Sequence, residues 1–291
     1  MSPDHRPAVP LRELALANFG LLLMIFVWGA FFPLVERLLL SWDFFSATVS
    51  RQLLGSLILA VAVFAQRGRI PLPQRIPWGR VLLMGAIGVS LGSLMTSLAV
   101  KFAGGLSSAI MSATNPVGSA LAAAVFYREP LGRGMIFATI LSVAGGLITA
   151  LGSASAGGAH FQGGEIFIVT ANLCWTWMSM AAQRWLRGYS QLQITALTVG
   201  AGAFWLLLLL PVITLSGMHH LRIDLDPVNI GVLLFAGIFP IAVGNFCWNY
   251  GVSRTGIVVA SMYNNLLPAA AVVVTVFIGG SFSLAQLGGA G

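Results

Sequence analysis

Long runs of apolar residues, each about the length needed to cross a bilayer, are separated along this chain by short polar and charged stretches. At a rise of roughly 1.5 Å per residue, some twenty such residues span the ~30 Å hydrocarbon core of a membrane. The runs predict nine helices: Leu16–Leu38, Phe44–Ala65, Gly79–Val100, Gly105–Phe126, Gly132–Leu151, Glu165–Trp185, Leu192–Ser216, Val228–Tyr250 and Gly256–Ile278. Between the fifth and sixth lies Gly152–Gly164, rich in Gly, Ser and Ala, the one obvious linker.

The pattern occurs twice. Gly105 to Phe126 reads GLSSAIMSATNPVGSALAAAVF, and 151 positions on Gly256 to Phe277 reads GIVVASMYNNLLPAAAVVVTVF. Ala109/Ala260, Met111/Met262, Ala120/Ala271 and Phe126/Phe277 coincide, whereas Pro116 and Pro268 fall one position out of step. In the first and sixth helices a tryptophan precedes an arginine by nine residues, Trp28 before Arg37 and Trp175 before Arg184. The expected fold is an all-α integral membrane protein made of two five-helix repeats. Residues 1–152 form the first, 153–164 the linker, and 165–291 the second, with the tenth helix only begun and cut short in this chain. An odd number of helices per repeat inverts the second copy in the membrane and places a shared site near the bilayer midplane.

With 57% hydrophobic and 8% charged residues, the composition excludes a water-soluble globular class. A net charge of +7 would suggest nucleic acid in a soluble domain, but here the basic residues read as topology signals and no nucleic-acid partner is expected. Arg6, Arg12, Arg67, Arg69, Arg75, Arg80, Arg128, Arg133, Arg184, Arg187 and Arg254 gather on one side of the predicted spans, against Arg37, Lys101 and Arg222 on the other. The N-terminus is therefore expected in the cytoplasm, with Trp42, Trp78 and Trp185 in the interfacial belts. Cys174 and Cys247 lie inside apolar runs, which argues against a disulfide framework or a zinc site.

No acidic residue or histidine falls mid-span, and no nucleophile stands with a base at helical spacing. Catalytic residues, metal ligands and cofactors are accordingly not expected. Neutral polar groups carry the site instead. Pro116 and Pro268 have no N–H, so the carbonyls of Ser112 and Asn264 lose their helical partners beside Asn115, Asn264 and Asn265. Such groups either line a wet cavity or hydrogen-bond between helices as packing contacts. Met24 and Trp28, Met111, Trp175 and Ser179, Asn245 and Trp248, and Tyr263 are the other candidate contacts to a solute; helix packing or lipid contact is the alternative for each. Arg51, the one charge well inside a span, either meets a substrate carboxylate or snorkels to the nearer interface.

Trp28-Gly29, Arg51, the run from Ala109 to Tyr127-Arg128-Glu129-Pro130, Trp175 to Arg184 and Trp248-Asn249-Tyr250-Gly251 through to Pro268 together resemble the drug/metabolite transporter superfamily, in its EamA-type branch. Within that branch the chain is similar to the bacterial YddG-type exporters of aromatic amino acids. The resemblance implies a multi-pass protein of the bacterial inner membrane that exports neutral or aromatic amino acids, or similar small amphipathic metabolites, by alternating access. Helices 1, 3, 4, 6, 8 and 9 are expected to line its cavity. Without a buried acid, transport is expected to run down the substrate gradient rather than by proton antiport. A multidrug or other-metabolite exporter of the same fold, or a passive channel, are the alternatives, and the oligomeric state is open.

Overall fold

The computed structural model describes residues 10–66, 75–113, 115–120, 137, 164–216 and 220–279. These are helical, with no strand among them. Eight helices follow in order: α1 Leu11–Leu38, α2 Phe44–Ala65, α3 Trp78–Ala103, α4 Gly105–Ser112, α5 Gly164–Trp185, α6 Gln191–Leu215, α7 Pro227–Thr255 and α8 Ile257–Phe277. Residues 115–120, just beyond α4, are helical as well. Six of the eight are long and apolar enough to cross a membrane; α4 and α5 are not among them. The 22-residue α5 misses because it carries Asn172, Thr176, Ser179 and Gln183 along its length. The fifth predicted helix, the linker and the start of the tenth lie outside the described residues.

Local chemistry sets where the helices begin. Pro10 stands just before α1, which therefore starts five residues earlier than the apolar run, with Glu13 in the first turn near the positive end of the helix dipole. Asp43 caps α2 by accepting from the amides of Phe45 and Ser46. Ser190 and Gln193 form a reciprocal capping box at α6, and Asp226 caps α7 ahead of Pro227.

The connections sort onto two faces. At the first, Arg254 ends α7 beside Glu13 (3.0 Å), and the Tyr189 hydroxyl donates to the Arg75 carbonyl (2.7 Å). At the second, the α1–α2 turn grips the α6–α7 loop: the Trp42 indole donates to the Asp224 carbonyl (2.6 Å) and the Arg222 amide to Asp43 (2.7 Å). Trp42 is thus buried in this clasp instead of standing in an interfacial belt, whereas Trp78 is exposed as a belt residue would be.

Close packing repeats between the halves. A methyl at Gly55 on α2 would sit 2.8 Å from the Gly237 carbonyl oxygen and 2.3 Å from Ile241 on α7; one at Gly202 on α6 would sit 2.3 Å from Val89 on α3, above Gly85. Gly85 and Gly237 also open the two π-helical segments, Gly85–Leu91 in α3 and Gly237–Gly244 in α7. Gly104 before α4 (φ 82°, ψ 162°) and Gly256 before α8 (φ 83°, ψ 159°) share a conformation that residues with a Cβ avoid. Gly85 and Gly237, like Gly104 and Gly256, are 152 positions apart, not 151, whereas Gly55 and Gly202 are 147 apart. Gly104, rather than Gly105, therefore matches Gly256, and Pro116 and Pro268 fall into step.

Gly55→Ala and Gly202→Ala should each lower stability by about 1–3 kcal/mol through overpacking. Gly231→Ala, where a methyl meets nothing within 4 Å, should not. Thermal midpoints of the three variants in detergent check this; equal midpoints would contradict the packing assignment.

Candidate functional site: a cavity at the helix breaks

An α-helix satisfies its own backbone, so a deviation inside a membrane leaves polar groups that need protein or water. Here the deviations meet. The π segment of α3 leads into Gly92, Ser93 and Thr96, while that of α7 contains Pro240 and Ile241 and ends before Asn245. The fourth helix breaks after Ser112, with Asn115 just beyond, and α8 passes through a 3-10 turn at Tyr263–Leu266. Pro268 follows in the first turn of the restored helix, where its missing N–H is harmless. Residues from all four places line one cavity. Register makes the lining two-fold in character: Gly92 and Ser93 correspond to Gly244 and Asn245, Ser112 to Asn264, and Asn115 to Leu267.

One wall is aromatic. Trp28 and Trp175, counterparts in the two halves, meet edge to face with ring centroids 5.5 Å apart. The Trp28 indole donates to the Pro240 carbonyl (3.1 Å) inside the π segment. It sits so tightly that a methyl at Gly244 would lie 2.5 Å from its nitrogen. Toward the first face Trp28 contacts Trp248 (5.8 Å), which is 0% exposed and donates to Ser179 Oγ (2.8 Å). Three tryptophans thus cluster on the side of the cavity toward the first face.

The opposite end is polar. Arg51 is 2% exposed; its Nη2 donates to Ser97 Oγ (2.9 Å) and to the Ser93 carbonyl (3.2 Å), and Phe31 lies 4.7 Å beneath the guanidinium. Gln52 donates to Ser93 Oγ. Arg51 therefore does not snorkel: Ser97, itself bonded to Thr48 (2.6 Å), holds it inward. Thr176 donates to Asn115 Oδ1 (3.0 Å). Several buried atoms around the cavity have no partner: Arg51 Nε, Gln52 Oε1, Asn172 Nδ2, Trp175 Nε1 and Asn264 Oδ1.

Of the residues singled out in the sequence, Trp28, Arg51, Asn115, Trp175, Asn245 and Asn264 line the cavity. The others do not. Met24 is fully buried against Trp248 and its neighbours, one turn below Trp28. Met111 packs against the Phe31–Phe32 core, and Ser179 and Trp248 are spent on each other. Tyr263 donates to Asn18 (2.9 Å), and Asn265 is exposed because the 3-10 turn directs Asn264 inward in its place. Sequence reasoning left out Gln52, Ser93, Phe31 and Phe32, and from α2 it offered Arg51 alone. Asn172, three residues before Trp175, carried a usable helical signal; Gln52, adjacent to Arg51, carried none.

Known proteins point the same way. The model of the EamA-like transporter family matches twice, over residues 15–151 and 162–291. A protein of Streptantibioticus cattleyicolor described as a probable terminal-alkyne amino-acid exporter is 25% identical over 262 residues, covering 90% of this chain and 85% of its own. The uncharacterized transporter YyaM of Bacillus subtilis is 23% identical over 217 residues, covering 72% and 68%. A crystal structure of a protein at 19% identity superposes with a TM-score of 0.72 over 94% of this chain and 92% of that one, a likeness of fold.

Ser179→Ala should strand the fully buried Trp248 indole N–H, at a cost of about 1–3 kcal/mol. A thermal midpoint equal to that of the unaltered protein would show that the bond does not matter.

Proposed function

We propose that this chain, which belongs to the EamA-like transporter family, exports neutral and aromatic amino acids by alternating access through the cavity between its halves. The observation that carries this reading is the cavity itself: an aromatic wall for an apolar side chain faces a polar end of Arg51, Gln52, Asn115 and Asn264 for a zwitterion. The name of the Streptantibioticus relative supports amino acids as cargo and export as direction.

The twofold family match and the repeated glycine contacts, π segments and glycine turns support two inverted five-helix repeats, ten helices in all. Each half then rocks against the other around the shared site. The tryptophan cluster lies toward the first face, which the distribution of arginines makes the cytoplasmic face of a bacterial inner membrane, N-terminus included. Among the described residues no Asp, Glu or His lines the cavity, so the cargo gradient drives transport without a proton partner.

Counterflow tests this. Proteoliposomes loaded with unlabelled phenylalanine should accumulate labelled phenylalanine transiently and saturably, with the same rate across a pH step. Non-saturating entry would indicate a channel, and no accumulation of any amino acid would refute the cargo. Asn115→Leu should reduce this counterflow at least tenfold with normal expression, whereas Asn265→Leu, on an exposed side chain, should leave it within twofold. Equal losses in both would contradict the placement of the site.

A further inference from the structure

Arg51 is a cation inside an apolar bundle, and among the described residues no carboxylate meets it. A buried charge is stable only when hydrogen-bonded and compensated. Compensation here is partial: two acceptors for Nη2, an aromatic face beneath, and an Nε with no acceptor. Around the same cavity Asn172 Nδ2 and Trp175 Nε1 are donors without acceptors. The unpartnered acceptors, Gln52 Oε1 and Asn264 Oδ1, are neutral. By the Gly55–Gly202 equivalence the counterpart of Arg51 is Thr198, which bonds its own helix at Ile194 (2.9 Å) and does not line the cavity. The site thus carries one formal charge, positive, at one end.

We infer that the cavity selects its cargo by the carboxylate and not by the ammonium: it takes amphipathic carboxylates as a class, with or without an α-amino group, and rejects organic cations. A carboxylate brought against Arg51 neutralises the guanidinium, because the planar fork presents donors that match its two oxygens. An ammonium gains only two neutral amide oxygens and shares a low-dielectric space with a fixed positive charge. The tail then lies along Phe31, Trp28 and Trp175. This inference rests on the cavity being the transport site, but it adds a discrimination that amino-acid transport alone does not require.

The test is binding by the protein in nanodiscs, read as change in tryptophan fluorescence, since Trp28 and Trp175 line the cavity. 3-Phenylpropionate, which has the carboxylate alone, should bind within about fivefold of phenylalanine. Phenethylamine and phenylalaninamide, which have the amine alone, should bind at least tenfold more weakly. Arg51→Gln should erase the difference between the acid and the amines, and Arg51→Lys should preserve part of it. Amines binding as well as phenylpropionate to the unaltered protein would overturn the inference, whatever the variants do. The readout separates the two readings: failed phenylalanine counterflow with tight phenylpropionate binding rejects the amino-acid cargo and keeps the carboxylate rule. Successful counterflow with equal binding of acid and amine does the reverse.

Discussion

The structure depends on one constraint: in hydrocarbon every backbone N–H and C=O must find a partner within the protein. Helices meet it along most of their length, so any irregular segment must be placed where other groups can serve it. Among the described residues four such segments occur, the π stretches of α3 and α7, the break after α4 and the 3-10 turn of α8. Each contains or adjoins residues that line one cavity. The Trp28 indole bonded to the Pro240 carbonyl shows the arrangement at work, a side chain from α1 donating to backbone inside the π segment of α7. Glycine makes these approaches possible, since Gly55, Gly85, Gly202 and Gly237 each occupy a place where a methyl would meet a neighbouring helix.

The family model matches twice along the chain, and positions in matching register meet at the cavity: Ser112 and Asn264, or Ser93 and Asn245, line it although half the chain separates them. The exceptions to equivalence give the cavity its direction. Arg51 corresponds in register to Thr198, and Thr96 to Trp248, so one half contributes polarity where the other contributes a self-satisfied threonine and a buried aromatic ring.

The fold class was legible because bilayer thickness imposes a length that apolar runs reveal directly, and helix ends were displaced mainly where a proline or a capping side chain overrode hydropathy, as at Pro10. The site was legible in part. Trp28 and Trp175 stood out as repeat partners, and Asn115 and Asn264 as neighbours of helix-breaking prolines. The sequence could not distinguish Asn264 from Asn265, because a 3-10 turn sets which of two adjacent side chains points inward. Nor could it reveal that Ser179 takes the Trp248 indole, or that Ser93 and Ser97 anchor Gln52 and Arg51, since those are contacts between distant segments. The one-residue error in repeat register came from matching letters; Gly104 and Gly256 are equivalent by conformation.

The most direct measurement is substrate protection at a residue that lines the cavity without sealing or charging it. Thr96 meets that description: it bonds only its own helix, at Gly92 (2.9 Å). In a protein whose Cys174 and Cys247 are replaced by alanine, the alkylation rate of Thr96→Cys by a maleimide would be followed with and without phenylalanine. If the cavity is the transport site, saturating phenylalanine slows the reaction several-fold and the protection saturates in parallel with counterflow. An alkylation rate indifferent to phenylalanine, in protein that still performs counterflow, would place the transport site elsewhere.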